Sequence, residues 1–365
     1  VDHKGRLKKL QTVLERNALD ALLVTHLPNI RYLCGFTGTS AVLVVSEPKN
    51  VFFTDGRYTE QARAEVQGSR IVIAHKPPLV AAAEWLLENK SKLGSKKPRR
   101  LGIESEHLTV AGRTQLMTCL RSDFRLRETR GLVERARMVK DTDEIARLRA
   151  AAALGATLFE RALEVIRPGV TENEVAAEME YAGRRAGAEE MSFPTIVAAG
   201  KRSALPHGRA SSAAIPSRGF VVLDFGVILS GYCSDRTRTV HVGRPTAEAR
   251  RMYEAVREAQ SAAIETVTAG VSVGEVDHAA RNLLNAKGLA RHFTHSAGHG
   301  VGLEIHEPPR IAAGQTEILL PGMVITVEPG LYIAGSGGVR IEDMVVVTER
   351  GCEVLTPTSK ELITI

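Results

Sequence analysis

Five side chains in the C-terminal two-thirds of this 365-residue chain could share one chemistry: Asp224, Asp235, His299, Glu328 and Glu342. The carboxylates sit in or beside runs of strand-forming residues, as in Arg218-Gly-Phe-Val-Val-Leu-Asp224-Phe-Gly226. A carboxylate buried there without a partner loses heavily in solvation or gives up its charge. Four such acids and one imidazole call for cations, and the set reads as the ligand shell of a two-metal hydrolytic site. That donor mix suits Mn²⁺, Co²⁺ or Zn²⁺ better than Ca²⁺ or Mg²⁺. Two such ions about 3.5–4 Å apart can lower the pKa of a shared water and stabilise an oxyanion. No competing nucleophile motif is present: there is no G-x-S-x-G, no complete P-loop, and His306-Glu307 has no second histidine to complete H-E-x-x-H.

The elements that must position these groups show an internal repeat. Ala162-Leu-Glu-Val-Ile-Arg-Pro-Gly-Val-Thr-Glu-Asn-Glu-Val175 is similar to Ala263-Ile-Glu-Thr-Val-Thr-Ala-Gly-Val-Ser-Val-Gly-Glu-Val276. Each copy reads as a helix end, a glycine turn and a new helix. Thr171 with Glu174, and Ser272 with Glu275, have the spacing of a capping box. Each copy leads to an acid two residues before a glycine, in Val222-Leu-Asp224-Phe-Gly226 and Thr326-Val-Glu328-Pro-Gly330, and then to a returning strand that carries Asp235 or Glu342. Residues opposite one another on antiparallel strands lie about 5 Å apart. Each hairpin is therefore expected to aim two carboxylates at one point, with an approximate twofold joining the pairs.

Residues 1 to 130 alternate short apolar runs, 21–24, 41–45, 51–53 and 71–73, with helical stretches, which predicts a mixed α/β domain. A second domain is expected over 131–365. It opens with a long helix capped by Asp141 or Thr142 and stopped by Pro168-Gly169. The charged start through Leu10, followed by Val13-Leu14, predicts an amphipathic first helix. Val1 suggests that upstream residues were removed or omitted.

Composition is that of an ordinary globular protein, 44% hydrophobic and 25% charged. The net charge of +6 comes without a basic tract interleaved with aromatics, so no nucleic-acid partner is expected. Lys96-Lys97-Pro98-Arg99-Arg100 reads as a solvated loop. Cys34, Cys119, Cys233 and Cys352 form no C-x-x-C pair, and no signal or spanning segment is read. A cytoplasmic protein with no membrane partner is expected.

The strings Leu205-Pro-His-Gly208, Leu223-Asp-Phe-Gly226, Ser234-Asp-Arg-Thr-Arg-Thr239, Gly298-His-Gly-Val-Gly-Leu303, His306-Glu307, Thr326-Val-Glu-Pro-Gly330 and Val339-Arg-Ile-Glu-Asp343 resemble, in order, the motifs of the pita-bread metallopeptidases. The branch they resemble is that of the Xaa-Pro peptidases, aminopeptidase P and prolidase. Asn29-Ile-Arg-Tyr-Leu-Cys-Gly-Phe-Thr-Gly38 and Phe53-Thr-Asp-Gly-Arg-Tyr58 extend the resemblance to that branch's N-terminal domain. It implies an α/β (α+β) chain with a C-terminal pita-bread (creatinase/aminopeptidase) fold and pseudo-twofold repeat, preceded by a creatinase-type α/β domain.

By position, the resemblance implies that Asp235 and Glu342 bridge two divalent cations, Mn²⁺ with Co²⁺ or Zn²⁺ as alternatives. Asp224 would hold one ion, and His299 and Glu328 the other. Glu328 would also act as general base and acid. His207, His295 and His306 would bind substrate and stabilise the tetrahedral intermediate, and Arg340 would bind substrate. Asp55 and Arg57 read instead as a structural turn. A homodimer acting on proline-containing peptides is implied.

Function is expected to be that of an Xaa-Pro aminopeptidase, with an Xaa-Pro dipeptidase as the alternative. The short connection Cys34-Gly-Phe-Thr-Gly-Thr-Ser-Ala41 favours the former, because it leaves little chain to block the space beyond proline. A non-catalytic peptide- or protein-binding member of the fold is a remoter reading, since such proteins lack the ligand set that this chain retains.

Overall fold

The computed structural model describes residues 1–93, 98–356 and 358–365, and divides into two compact units, Val1–Arg137 and Met138–Ile365. The division falls beyond the expected Arg130-Gly131. The short helix Glu134–Met138 is tied to the first unit: Glu134 accepts from Asn29 Nδ2 at 2.6 Å, and Arg137 Nη1 donates to Asn29 Oδ1 at 2.7 Å.

In the first unit the amphipathic opening is the helix His3–Arg16, which buries Leu7, Leu10 and Leu14. The apolar runs become strands β1 (Ala21–Val24), β2 (Ala41–Ser46), β3 (Val51–Asp55) and β4 (Arg70–Ala74), joined by β5 (Arg99–Glu104) and β6 (Phe124–Thr129). They form one mixed sheet in the order β4-β3-β2-β1-β5-β6. Of the basic cluster, Lys96 and Lys97 lie outside the described residues. Arg99 and Arg100 are not loop residues: they open β5, with Arg99 buried, because the ladder pairing Leu101 with Ala21 and Leu126 runs back as far as Arg99 and Phe124. Asp55 and Arg57 form a turn, Asp55 accepting the Arg57 backbone N–H and pairing with its guanidinium at 2.9 Å.

The second unit opens with the helix Thr142–Val165, capped reciprocally by Asp141 and Glu144, followed by the helix Glu172–Arg185. Strands β7 (Glu190–Met191), β8 (Ile196–Ala199), β9 (Gly219–Phe225), β10 (Val227–Leu229), β11 (Tyr232–Cys233) and β12 (Arg236–Val242) complete its first half. The second half repeats the plan with helices Ala247–Thr266 and Val273–Ala286. Its strands are β13 (Gly298–Gly300), β14 (Glu307–Ile311), β15 (Val324–Val327), β16 (Gly330–Ile333), β17 (Gly337–Arg340), β18 (Asp343–Thr348) and β19 (Gly351–Val354).

The repeat is visible in backbone detail. Gly169 and Gly270 both have φ of 90°, and their N–H groups donate to Ile215 and Leu319. Thr171 and Ser272 both carry capping boxes and form isolated antiparallel bridges to Ala214 and Ile318. Ile215 precedes Asp224 by the same stretch of chain as Leu319 precedes Glu328. Each half packs its helices on its own apolar core, one built around Leu158, Val175 and Leu223, the other around Val256, Val276 and Ile325. The α/β architecture, with a mixed-sheet first unit and an internally repeated second unit, is as expected.

Candidate metal and active site

The sheets of the two halves deliver the five candidate ligands at strand ends. Asp224 is the penultimate residue of β9, Asp235 immediately precedes β12, and His299 is the central residue of β13. Glu328 follows β15, and Glu342 precedes β18. The two acid pairs are not placed alike. Glu328 and Glu342 stand directly beyond the last rung of their ladder, Val327 with Asp343. Asp224 faces Thr237, not Asp235, because Asp235 lies two residues earlier on the partner strand. The second hairpin therefore matches the expected opposition of acids, while the first achieves convergence along a diagonal.

Asp235, His299 and Glu342 bring ligand atoms within 4.8 Å of one another. His299 Nε2 lies 3.5 Å from Asp235 Oδ2 and 3.6 Å from Glu328 Oε1, too far for strong hydrogen bonds and close enough for a cation to contact both. Its Nδ1 faces the Gly300 carbonyl at 2.9 Å. A carbonyl only accepts, so Nδ1 carries a proton and Nε2 is the ring nitrogen turned toward the acids, where its lone pair would be free for a cation. Glu342 Oε2 accepts from Thr237 Oγ1 at 2.7 Å, while Oε1 is buried without a protein donor. Asp224 Oδ1 is likewise buried without a donor, and its Oδ2 accepts from Arg340 Nη2 at 2.5 Å. Asp224 and Glu328 thus flank the tight trio instead of sharing its mutual spacing.

Burial dominates the protonation of this cluster. It pushes the Asp235 carboxyl up to about 6 and Glu328 up to about 7, in the latter case against the favourable fields of His299 and Arg340. Glu342 is driven well above the usual range by burial and by the charges of Asp235 and Glu328. For His299, burial disfavours the imidazolium, but Asp235 and Glu328 outweigh it and raise the group to about 9. Burial and mutual repulsion raise these carboxyls above their usual range, and a divalent cation among them would stabilise the ionised form. Two orphaned buried carboxylate oxygens and a correctly tautomerised imidazole together fit divalent-metal binding.

The remaining candidates surround this trio. Arg340 is buried and turned into the site. Its Nε donates to Thr237 Oγ1, Nη1 to the Pro206 carbonyl and Tyr332 Oη, and Nη2 to Asp224. Its anionic partner is thus Asp224, whereas Asp343 pairs with Arg238 at 2.6 Å. His295 Nδ1 faces the Ser296 carbonyl at 2.8 Å and Nε2 faces Tyr332 Oη at 3.0 Å, so a neutral ring accepts from the phenol. Burial and the nearby Arg340 push His295 down to about 4. The His306 ring stands edge-on to that of His299, with centroids 4.4 Å apart, and burial followed by the His299 charge lowers its pKa. His207 is exposed, yet close enough to act electrostatically on both His295 and His306.

Sequence reasoning missed Thr237 and Tyr332. Thr237 lay in a quoted motif as a mere neighbour of Asp235, and its signal is its pairing with Asp224 across the ladder. Tyr332 has no distinguishing spacing. Its hydroxyl joins Arg340 to His295 only because the β16–β17 hairpin folds back, pairing Gly330 with Arg340.

Residues 146–349 match the family model of metallopeptidase family M24, and residues 6–139 match that of the creatinase/prolidase N-terminal domain. Among solved structures the chain is similar to an Xaa-Pro dipeptidase from Bacillus anthracis, at 41% identity and a TM-score of 0.94 over 100% of both chains. It is also similar to a prolidase from Pyrococcus horikoshii, at 35% identity and a TM-score of 0.91 over 98% of this chain and 100% of that one. An X-Pro aminopeptidase from Thermotoga maritima shares 34% identity at a TM-score of 0.88, over 99% of this chain and 100% of that one.

Proposed function

We propose, from the premise that this chain belongs to metallopeptidase family M24, that it is an Xaa-Pro dipeptidase, releasing proline and the preceding residue from a dipeptide. The whole-length likeness to the Bacillus anthracis Xaa-Pro dipeptidase is the observation that carries this choice. In this reading Asp224, Asp235, His299, Glu328 and Glu342 would together hold two divalent cations. A set of carboxylates with one imidazole favours Mn²⁺, with Co²⁺ or Zn²⁺ as alternatives. When bound, the cations supply Lewis acidity toward the attacking water and the scissile carbonyl.

The substrate makes particular demands on the chain's own groups. A bond to proline is a tertiary amide without N–H, so backbone pairing cannot hold it in an extended cleft. Its nitrogen must also be protonated to leave. Glu328, 3.6 Å from His299 at the edge of the acid cluster, is suited to take a proton from water and return it to that nitrogen. His207 and His306 are placed to bind substrate and to stabilise charge developing on the carbonyl oxygen. His295, held neutral between Ser296 and Tyr332, shares that role. Arg340, with its donors committed within the protein, orients Asp224 more directly than it grips substrate.

The likeness to the Thermotoga maritima enzyme supports a second reading, an Xaa-Pro aminopeptidase. The preference for that activity in the sequence rested on the short connection before Ala41, but loop length does not identify what captures the proline carboxylate. Chelator-stripped protein given Mn²⁺, Co²⁺ or Zn²⁺ should regain hydrolysis of Gly-Pro and leave an Xaa-Pro-Yaa tripeptide intact. Cleavage of the tripeptide would establish the aminopeptidase instead. Failure on both substrates with every metal would favour a binding protein.

A homodimer and a cytoplasmic site of action belong to the same proposal. The cysteines are free thiols, which fits a reducing compartment. Among the described residues no helix is long and apolar enough to cross a membrane. Light scattering checks the assembly.

A further inference from the structure

The loops that carry His207 and His295 are each fastened from behind by a fully buried carboxylate on the second helix of the corresponding half. In the first half Glu172 opens the helix Glu172–Arg185 and is wholly buried. Its Oε1 accepts the Ala199 N–H at 2.8 Å. Arg202 Nε donates at 3.1 Å to Oε1 and 3.0 Å to Oε2, and Oε2 also takes the Ser211 N–H at 3.1 Å and hydroxyl at 2.6 Å. Arg202 Nη2 then donates to the Arg209 carbonyl at 2.9 Å. One carboxylate thus gathers both ends of the segment 199–211, and His207 lies near its tip.

In the second half Asp277, also wholly buried, is on the helix Val273–Ala286. Asp277 accepts the Ala297 N–H at 3.1 Å and a two-point bond from Arg281, at 2.6 and 3.1 Å. Arg281 covers the Phe293 ring at 4.1 Å and donates to the carbonyls of Phe293 at 3.1 Å and His295 at 2.5 Å. The segment 293–297, with His295 at its centre, is pinned as firmly as the first.

The repeat supplies an internal control. Aligning the N-caps Thr171 and Ser272 sets Glu172 against Val273, and Ala176 against Asp277. Val273 and Ala176 are both buried. Each helix therefore packs well with an apolar side chain where its counterpart has the acid, so neither acid is needed for the helix to dock. Burying an ionised carboxylate is costly unless its bonds are complete, and each acid spends its bonds on the histidine loop. We infer that Glu172 and Asp277, with Arg202 and Arg281 as intermediaries, are positioning residues that fix His207 and His295 for the reaction. This rests on the peptidase reading above.

The test is a pair of double-mutant cycles in metal-loaded protein, with Gly-Pro and Xaa-Pro-Yaa as substrates. Glu172→Gln and Asp277→Asn should each lower kcat on the order of tenfold to a hundredfold with KM much less affected, because small displacements of catalytic groups have effects of that size. Bound metal should be unchanged. Glu172→Gln should add no further loss to His207→Ala, nor Asp277→Asn to His295→Ala. Full additivity would overturn the proposal, as would an unchanged kcat in Glu172→Gln when His207→Ala is impaired. A normal kcat in His207→Ala or His295→Ala would instead overturn the histidine's role in the peptidase reading, and the clamp's purpose with it. Should Glu172→Gln fail to fold, Ser211→Ala removes a single donor. It should reproduce the kcat loss at lower amplitude, and full activity in it would sink the clamp.

Discussion

Burial raises the Glu328 carboxyl to about 7 against the fields of His299 and Arg340, although the side chain keeps 17% of its surface exposed. A group so poised exchanges protons at working pH with little driving force lost in either direction. Glu328→Gln keeps the size of the side chain, so the protein should fold and bind a substrate analogue while kcat falls on the order of 10²–10⁴-fold. Steady-state kinetics beside calorimetric binding checks this, and near-normal turnover would remove the proton-transfer role. Thr237 makes a separate prediction. It donates to Glu342 and accepts from Arg340, so Thr237→Val should weaken metal affinity about 10–100-fold while Thr237→Ser retains it. At this scale the four acids and the imidazole were legible because charged residues in apolar strands are conspicuous. Thr237 and Tyr332 were not, because only the folded hairpins reveal their partners.

Strand and helix ends carry most of the geometry, and their signals were partly local. Asp141, Thr171 and Ser272 all cap as their spacing predicts, because a capping box closes within four residues. The register between β9 and β12 is different. It is set across a connection containing β10 and β11, so the facing of Asp224 by Thr237 could not be read from the acids' order. Glycines hold those strands close: a Cβ on Gly226 would stand 1.8 Å from the Ser234 carbonyl oxygen, and one on Gly298 would stand 2.0 Å from that of Thr326. Gly298→Ala must push β13 off its neighbour. It should cost about 1–3 kcal/mol by the usual penalty of overpacking, and should also lower metal affinity because His299 is the next residue. Denaturation together with metal titration would show both losses, and a stability loss with unchanged affinity would separate the strand from the site.

For the whole molecule, the protonation of the cluster sets how stability responds to pH. Asp235 and Glu328 have folded pKa values raised above their unfolded values, so the native state binds the extra protons between about pH 4 and 7, and Glu342 is raised in the same direction. His299, raised to about 9, extends the same sign upward. Metal-free protein should therefore lose stability steadily as pH rises through this window. Bound metal requires deprotonated acids and stabilises by mass action, so the gap in Tm between metal-loaded and stripped protein should widen with pH. Thermal denaturation at pH 5, 7 and 8.5 would decide this, and a constant gap would contradict it. The pattern changes near residue 130, while the chain divides after Arg137, where Asn29 bonds Glu134 and Arg137 across a long span of sequence that no local pattern reveals.

The guanidinium of Arg238 donates to the Glu342 carbonyl at 2.5 Å and to Asp343, and also to the carbonyls of Thr356, Thr358 and Ser359. The same side chain backs a candidate ligand and latches a segment beyond the last strand. A proteolytic nick after Leu355 would free three acceptors at once and leave Arg238 its bonds to Glu342 and Asp343. That segment is therefore a poor place for a cleavable linker, because the arginine it satisfies also bonds the backbone of Glu342.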